Sequence, residues 1–414
     1  MPSEAIEDQF DLRDGVSLQE AQLIALLFNP ELARMRIAAE LPLVGKSIRS
    51  LWPDPELELE FEPVSDAVND DWLLNAKLGV ALPLSFRLGT ELKKADSQYQ
   101  AELAKLIKAE KDQINEIEGL WVKLYVVEQK RQVMKEHLAG LEEIIGRAGQ
   151  SLSLATITAA DLQSLALNAA SVKLNLLDLH EMETEFKSQL LTRMGLKLNA
   201  PIKLQLALPH PVEGPVDSQW SELLQANNPD ILIAAANYEV AEQSLKLEIK
   251  KQYPDLIVGP IYQEGESGLG LNLTSLLPLL NGNTTAIERA KTIRDATRVE
   301  LEGSYQQSIN ALHSIQQRLD LLQEREAFIN DRINPMLDQQ FENIWQSIQL
   351  GTTNILLLTD ALKQRLDNKL ALLELNQKRA ILQNQKLAML TPVQKPLLGL
   401  VARQQGKKSE GDKE

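Results

Sequence analysis

The chain carries one sequence pattern twice, about 200 residues apart. Asn29-Pro30 recurs as Asn228-Pro229, 199 residues later, and Trp52-Pro53-Asp54 recurs as Tyr253-Pro254-Asp255, 201 residues later. Solenoid proteins repeat every ~20–50 residues, so this period is too long for a solenoid. The pattern instead predicts a single architecture built from two similar halves.

Each half has the same order of predicted elements: a helix, a β-hairpin, a long helix and a return helix. In the first half, residues 18–49 are predicted to be largely helical, with a break or kink at Pro30 and at Pro42 because proline lacks an amide hydrogen. The strict alternation from Glu56 to Glu62 predicts a strand, which a polar turn over 63–71 joins to a second strand over 75–84. The expected boundaries are an extension 1–14, a first repeat 15–199 with its hairpin at 56–84, a linker 200–215, a second repeat 216–392 with its hairpin at 255–279, and a polar tail 393–414.

The two long helices are predicted over 91–146 and 286–349, and the second contains Pro335, which should kink it. Gly149 and Gly351 are the expected helix stops, and the return helices are expected over 161–194 and 360–390. A narrow apolar stripe along the second long helix indicates coiled-coil packing. Its members are Ile309, Leu312, Leu319, Leu322, Ile329 and Ile333.

Composition excludes several classes of function. The net charge of −15 and the absence of a basic run outside the polar tail argue against a nucleic-acid partner. The chain has no cysteine, which excludes disulfides, thiolate metal ligands and a cysteine nucleophile. Its four histidines lack metal-ligand spacing, and no phosphate loop or nucleophile motif is present. We therefore expect no cofactor, no metal site and no enzymatic activity.

The start of the chain bears on its location in the cell. The first residues are acidic and have no apolar core, so they do not form a secretory signal. Either a signal was removed or the protein is cytosolic. No run of ~18 apolar residues predicts a transmembrane helix, whereas the short alternating strands leave a membrane β-barrel possible.

Several motifs, in the same order in both halves, resemble the TolC-like outer-membrane factors, the outer-membrane efflux protein family. The resemblance extends from about Gly15 to Pro392. It rests on Val16-Ser17-Leu18-Gln19-Glu20-Ala21, Asn29-Pro30-Glu31-Leu32, the aromatic-Pro pairs before the hairpins, Leu82-Pro83-Leu84 and Leu277-Pro278-Leu279 after them, Ile333-Asn334-Pro335, and the segment from Gly351 to Ala361.

The resemblance implies a mainly α fold with a small β part and a homotrimer. Long antiparallel coiled-coil helices would form a periplasmic tunnel, and two hairpins per protomer would complete a 12-stranded transmembrane barrel in outer-membrane lipid. The implied function is the passive exit duct of an RND-type tripartite efflux system or a type I secretion system, with a periplasmic adaptor and an inner-membrane pump as partners. The alternatives are a soluble coiled-coil scaffold and the periplasmic adaptor itself, although the latter should carry a Gly-rich lipoyl-like module.

Two groups of acidic or constricting residues are the candidate sites of a channel. Glu56, Glu58, Glu60 and Glu62 share one strand face, which lines the lumen if the hairpin joins a barrel and is otherwise a solvated surface. An acidic lumen would favour cationic cargo. The resemblance also places Leu357 and Asp360 at a periplasmic gate, whereas the simpler interpretation of Asp360 is a helix cap.

The helix tips are the expected contacts of the adaptor. The candidate residues there are Leu152, Leu154, Asp161, Gly351, Thr352 and Leu356. Leucine at an exposed end favours a protein contact. The alternative is that these tips are simple turns of αα-hairpins.

Overall fold

The computed structural model describes residues 15–49, 54–66, 69–83, 85–152, 158–209, 214–253, 255–263, 268–275, 282–350 and 355–391. The first half contains α1 (Leu18–Phe28), α2 (Pro30–Arg49), β1 (Glu56–Asp66), β2 (Asn69–Pro83), α3 (Arg87–Leu152) and α4 (Ala159–Arg193). The second half contains α5 (Trp220–Asn227), α6 (Pro229–Lys250), β3 (Asp255–Gln263), β4 (Gly268–Ser275), α7 (Thr284–Phe328), a π-helical turn (Ile329–Ile333), α8 (Asn334–Gln349) and α9 (Ile355–Leu390). The predicted mainly helical fold with a small antiparallel sheet is confirmed.

The repeated Asn-Pro pair has the same geometry in both halves. The Asn29 Oδ1 accepts the amide hydrogens of Glu31 and Leu32 at 2.9 and 3.2 Å, and the Asn228 Oδ1 accepts those of Asp230 and Ile231 at the same two distances. Proline follows in each case as the first residue of the next helix, where its missing amide hydrogen costs nothing. The predicted break at Pro30 is therefore confirmed, whereas Pro42 lies inside α2.

The first hairpin is longer than the sequence predicts. Residues 63–71 were expected to form a polar turn, but the backbone of β1 pairs with β2 through Asp66 and Asn69. Pro63 is tolerated because β1 is an edge strand, where a missing donor need not break the ladder. Loss of side-chain alternation therefore did not mark the end of the strand.

Two predicted helix boundaries are wrong. Helix α3 continues through Gly149 to Leu152, because one glycine costs a helix only about 1 kcal/mol and does not end it alone. Helix α9 begins at Ile355, five residues before the predicted start at Asp360. The other predicted stop, Gly351, lies outside the described residues.

Pro335 interrupts the second long helix as predicted, but through a change of helix type. The π-helical turn directly precedes α8, and Pro335 occupies the first turn of α8. A wider turn removes the need for the hydrogen bond that proline cannot donate. The predicted apolar stripe is the less exposed side of this segment, with Leu312 and Ile329 buried.

The described residues form two compact units, and each unit draws on both repeats. Of the described residues, the first unit takes those within 15–33, 109–223 and 309–391, and the second takes those within 34–108 and 224–308. The first unit has a core around Trp121, Ile117 and Leu190. The segment between the repeats joins it, because Val16 pairs with Leu204 and the Trp121 Nε1 donates to the Ala207 carbonyl at 3.2 Å.

Candidate functional site

The second unit contains a sheet with two chemically different faces. Its described strands are antiparallel in the order β1-β2-β3-β4. Residues directly opposite each other on neighbouring strands share a face. One such row crosses all four strands as Leu59, Ala76, Tyr262 and Leu269, and side chains at alternate positions continue this apolar face. Its other apolar members are Leu57, Phe61, Leu74, Leu78, Val80, Leu82, Leu256, Val258, Leu271 and Leu273.

The apolar face is open to solvent in the isolated chain. Leu269 and Leu271 are 85% and 74% exposed. A contiguous apolar surface of this kind marks contact with a protein or a lipid phase. No strand of the described chain pairs with the outer edge of β1 or of β4, so the sheet also has open edges.

The opposite, polar face contains three of the candidate glutamates. Glu56, Glu58 and Glu60 are all exposed, and they pair with Gly79, Lys77 and Asn75 on β2. The Lys77 Nζ lies 3.6 Å from Glu58 and 3.9 Å from Glu60. The fourth candidate, Glu62, has its backbone paired with Leu73, and its side chain lies outside the described residues.

The rows of the polar face continue without charge onto the second hairpin. The row of Glu58 and Lys77 continues to Ile261 and Gly270, and the row of Glu60 continues through Asn75 to Gln263 and Gly268. The first hairpin is therefore acidic on this face, whereas the second, apart from Asp255 at the start of β3, is neutral and glycine-rich, as the sequence indicated.

An ion pair that the sequence analysis missed connects the two hairpins. Arg87, the first residue of α3, contacts Asp255, the first residue of β3, at 2.7 Å. Asp255 belongs to the repeated aromatic-Pro-Asp triplet, which was a signal for a structural role. The pair joins the start of α3, which follows β2, to the start of β3.

At the first helix tip, Asp161 caps α4. Its carboxylate accepts the Thr158 amide hydrogen at 3.0 Å and the Thr158 hydroxyl at 2.7 Å, and its own amide donates back to that hydroxyl. The hydroxyl bond and then the amide bond hold the pKa of Asp161 below its ordinary value. Helix α3 ends at Leu152, whose side chain lies outside the described residues, as does all of Leu154.

The second helix tip is built differently. Leu357 occupies the position equivalent to Thr158, and leucine has no oxygen with which to cap a helix. Helix α9 starts at Ile355, two residues before Leu357, so Asp360 lies in its second turn. The interpretation of Asp360 as a helix cap is therefore wrong. Asp360 is exposed, Leu357 is 50% exposed and Leu356 is half-buried, while Gly351 and Thr352 lie outside the described residues.

Two further properties concern the described residues. None of the helices in these ranges is long and apolar enough to cross a membrane. No group of three or more histidine or carboxylate side chains in the described parts of the chain could hold a metal ion.

The fold is similar to solved structures of outer-membrane proteins. No protein-family model matches the chain, and no curated protein is similar to it in sequence. A membrane protein from Pseudomonas aeruginosa matches with a TM-score of 0.79 and 15% identity, covering 95% of each chain. The outer-membrane protein VceC of Vibrio cholerae matches with a TM-score of 0.76 and 17% identity, over 91% of this chain and 97% of VceC. The MtrE outer-membrane channel of Neisseria gonorrhoeae, in its open state, has a TM-score of 0.74 and 17% identity over 91% and 90%.

These similarities define the class of fold. Nearly the whole chain has the fold of outer-membrane channel proteins, and the resemblance to TolC-like outer-membrane factors is confirmed at that level. The neighbours named here are a membrane protein, an outer-membrane protein and an outer-membrane channel.

Proposed function

We propose that this chain is one protomer of a trimeric outer-membrane channel, the passive exit duct of an RND-type tripartite efflux system or a type I secretion system. The observation that carries the proposal is the sheet, which has an exposed apolar face, a polar face and open edges. A soluble scaffold would leave that apolar face without a partner.

Insertion into lipid would account for both faces of the sheet, and it would require more than one copy of the chain. The apolar face would contact acyl chains, and the polar face would line the lumen. Open strand edges are not viable in lipid because their backbone groups would have no hydrogen-bond partner. Four strands are too few to close around a lumen, since the smallest membrane barrels have about eight, whereas three copies supply about twelve.

The long helices supply the tunnel in this proposal. Helix α3 has 66 residues, and a straight α-helix of that length spans ~100 Å at ~1.5 Å per residue. Helices α3 and α4, and α7–α8 and α9, would form paired coiled coils of the tunnel wall. The tips, including Leu152, Leu154, Asp161, Gly351, Thr352 and Leu356, would meet a periplasmic adaptor that connects to an inner-membrane pump.

The gate would lie near the second tip. Asp360 is free to face the axis because it does not cap α9, and Leu357 one turn earlier is half-exposed. Three like charges near one axis repel each other and require a cation or a basic partner. A single Asp360 ring next to a leucine constriction would therefore respond to divalent cations.

Fractionation and conductance measurements test the proposal. The protein, produced in a Gram-negative host with a secretory signal, should be found in the outer membrane and should be extracted by detergent as a trimer. The purified trimer should form ion-conducting pores in planar lipid bilayers. A monomer that remains soluble without detergent and forms no pores would contradict the proposal.

A further inference from the structure

Side-chain hydrogen bonds and ion pairs connect four helical segments of the first unit in series, and Leu179 of α4 also packs in one cluster with Leu366 of α9. Helix α4 contacts α3 through Lys173 and Glu142 at 2.8 Å, and α3 contacts α9 through Lys130 and Glu374 at 2.7 Å. Helix α9 contacts α7 and α8 through four pairs: Lys386 with Gln316, Arg379 with Glu326, Asn368 with Asn334, and Arg365 with Asp338. In the described part of this unit no hydrogen bond or ion pair joins α4 to α7 or α8. These two are therefore the ends of the series.

The side of α4 that points away from α3 carries an unpaired stripe. Leu167, Leu174, Leu177 and Glu181 are spaced by seven, three and four residues, which places them on one face of a helix. The buried side chains Leu165, Val172 and Leu179 lie on the opposite side of α4. Leu179 packs there with Val127 and Met134 of α3 and with Leu366 of α9. We name the first four residues the α4 outer stripe.

The other end of the series has a matching stripe. Leu321, Phe328, Arg332 and Met336 lie on the side of α7 and α8 that points away from α9, and we name them the α7–α8 outer stripe. The six apolar members of the two stripes are between 60% and 69% exposed. The helices alternate in direction along the series, so α4 runs antiparallel to α7–α8.

The ion pairs set the relative height of the two stripes. Glu183 of α4 contacts Arg131, and the next residue of α3, Lys130, contacts Glu374 of α9. Glu374 lies between Asn368 and Arg379, which contact Asn334 and Glu326. Residue 183 is therefore level with about residue 330, to within one helical turn of ~5.4 Å. Counting back along α4, Glu181 is level with Arg332, and Leu177 with Met336.

We propose that the α4 outer stripe of one copy docks antiparallel against the α7–α8 outer stripe of a second copy, with Leu177 against Met336 and Glu181 against Arg332. Neither Glu181 nor Arg332 has an ion-pair or hydrogen-bond partner among the described residues, and their charges are opposite. Flanking ion pairs of this kind set partner choice and orientation in coiled coils. Docking of α4 on a second α4 would place like charges together. The inference specifies the contact that closes the ring of the proposed channel, and so it rests on the proposed function.

Disulfide trapping tests the register directly, because the chain has no cysteine of its own. A Leu177→Cys, Met336→Cys double variant, oxidised in membranes, should give dimer and trimer bands that a reductant removes. The control is Leu177→Cys with Leu321→Cys, which uses the same two stripes but a position ~20 Å further along the helix. A disulfide requires Cα atoms within about 7 Å, so the control should remain monomeric on the gel.

Charge reversal provides a second test that does not require a disulfide. Glu181→Arg and Arg332→Glu should each reduce the fraction of trimer in detergent, and the double variant should recover it. A trimeric, conducting protein that gives no Leu177–Met336 crosslink would overturn the docking surface and leave the proposed function intact. A crosslinked assembly that forms no pores would support the docking surface and contradict the proposed function.

Discussion

At the scale of single residues, the two halves of the chain share one helix-capping asparagine and differ in how their return helices begin. Asn29 and Asn228 each accept two amide hydrogens at the start of a helix. Thr158 and Asp161 cap α4, but the equivalent Leu357 and Asp360 lie inside α9. The two asparagines therefore preserve the fold of both halves. The helix tip of the second half does not share the capping pair of the first, and it can differ in function.

We predict that Asn29→Ala and Asn228→Ala each lower the free energy of unfolding by about 1 kcal/mol, the usual effect of losing an N-terminal cap. Asn29→Ala should cost more, because the Asn29 amide also donates to the Arg193 carbonyl at 3.2 Å. Chemical denaturation in detergent, followed by circular dichroism, measures the effect. The control is Asn343→Ala on α8, an exposed position that should be neutral or slightly stabilising. Equal stability of all three variants would contradict the capping role.

At the scale of elements, the sequence predicted individual strands better than their pairing. The alternation of β1 correctly separated Leu57, Leu59 and Phe61 from the glutamates. It did not contain the register between β2 and β3, which joins residues such as Ala76 and Tyr262 that are far apart in sequence. The continuous apolar face depends on that register, and a one-residue slip would have destroyed it.

The helix tips were harder to predict for a different reason. Thr158 and Asp161 have the spacing of a capping box, which sequence alone can suggest. The start of α9 at Ile355 is not marked by a Thr and Asp pair like that of α4, and within its first turn Leu358 is buried. The position of Asp360 within the helix therefore could not be predicted from the equivalent position of Asp161.

The close approach of β2 and β3 makes Gly259 irreplaceable. A Cβ atom there would lie 1.7 Å from the Leu78 carbonyl oxygen. Gly259→Ala should therefore disrupt the pairing of the two hairpins, and we expect little or no assembled trimer in the outer membrane. Gly303→Ala on α7 is the matched control, because its Cβ would meet no atom within 4 Å. That change should stabilise the helix by up to about 1 kcal/mol. Normal assembly of Gly259→Ala would show that the strands can separate there at little cost.

Arg365 holds α8 against α9 through two interactions. Its guanidinium contacts Asp338 at 2.7 Å and lies 4.6 Å from the centre of the Phe341 ring. We expect Arg365→Ala to destabilise this helix pair by about 1 kcal/mol, mostly through the loss of the cation–π contact. Asp338→Asn should cost less, because ion pairs between exposed side chains contribute little. Hydrogen exchange of the α8 amides measures both, with faster exchange expected in the first variant. Faster exchange in Asp338→Asn than in Arg365→Ala would contradict this ranking.

At the scale of the whole molecule, part of the negative charge of the chain would lie along the lumen of the proposed channel. The net charge is −15, and the described polar face of the sheet carries Glu56, Glu58 and Glu60 against Lys77. In a ring of three copies this face would form an acidic belt around the lumen. Carboxylates lining a narrow path raise the local concentration of cations.

We therefore predict that the pores prefer cations, and that Lys77 moderates this preference. Replacing Glu56, Glu58 and Glu60 together with glutamine should move the reversal potential in a KCl gradient towards zero, because the lining loses negative charge. Lys77→Gln should move it in the opposite direction, since it removes the cation that lies between Glu58 and Glu60. Lys77→Arg keeps the charge and should leave the potential unchanged. If neither the glutamine variant nor Lys77→Gln alters the reversal potential of a conducting trimer, the polar face does not line the ion path.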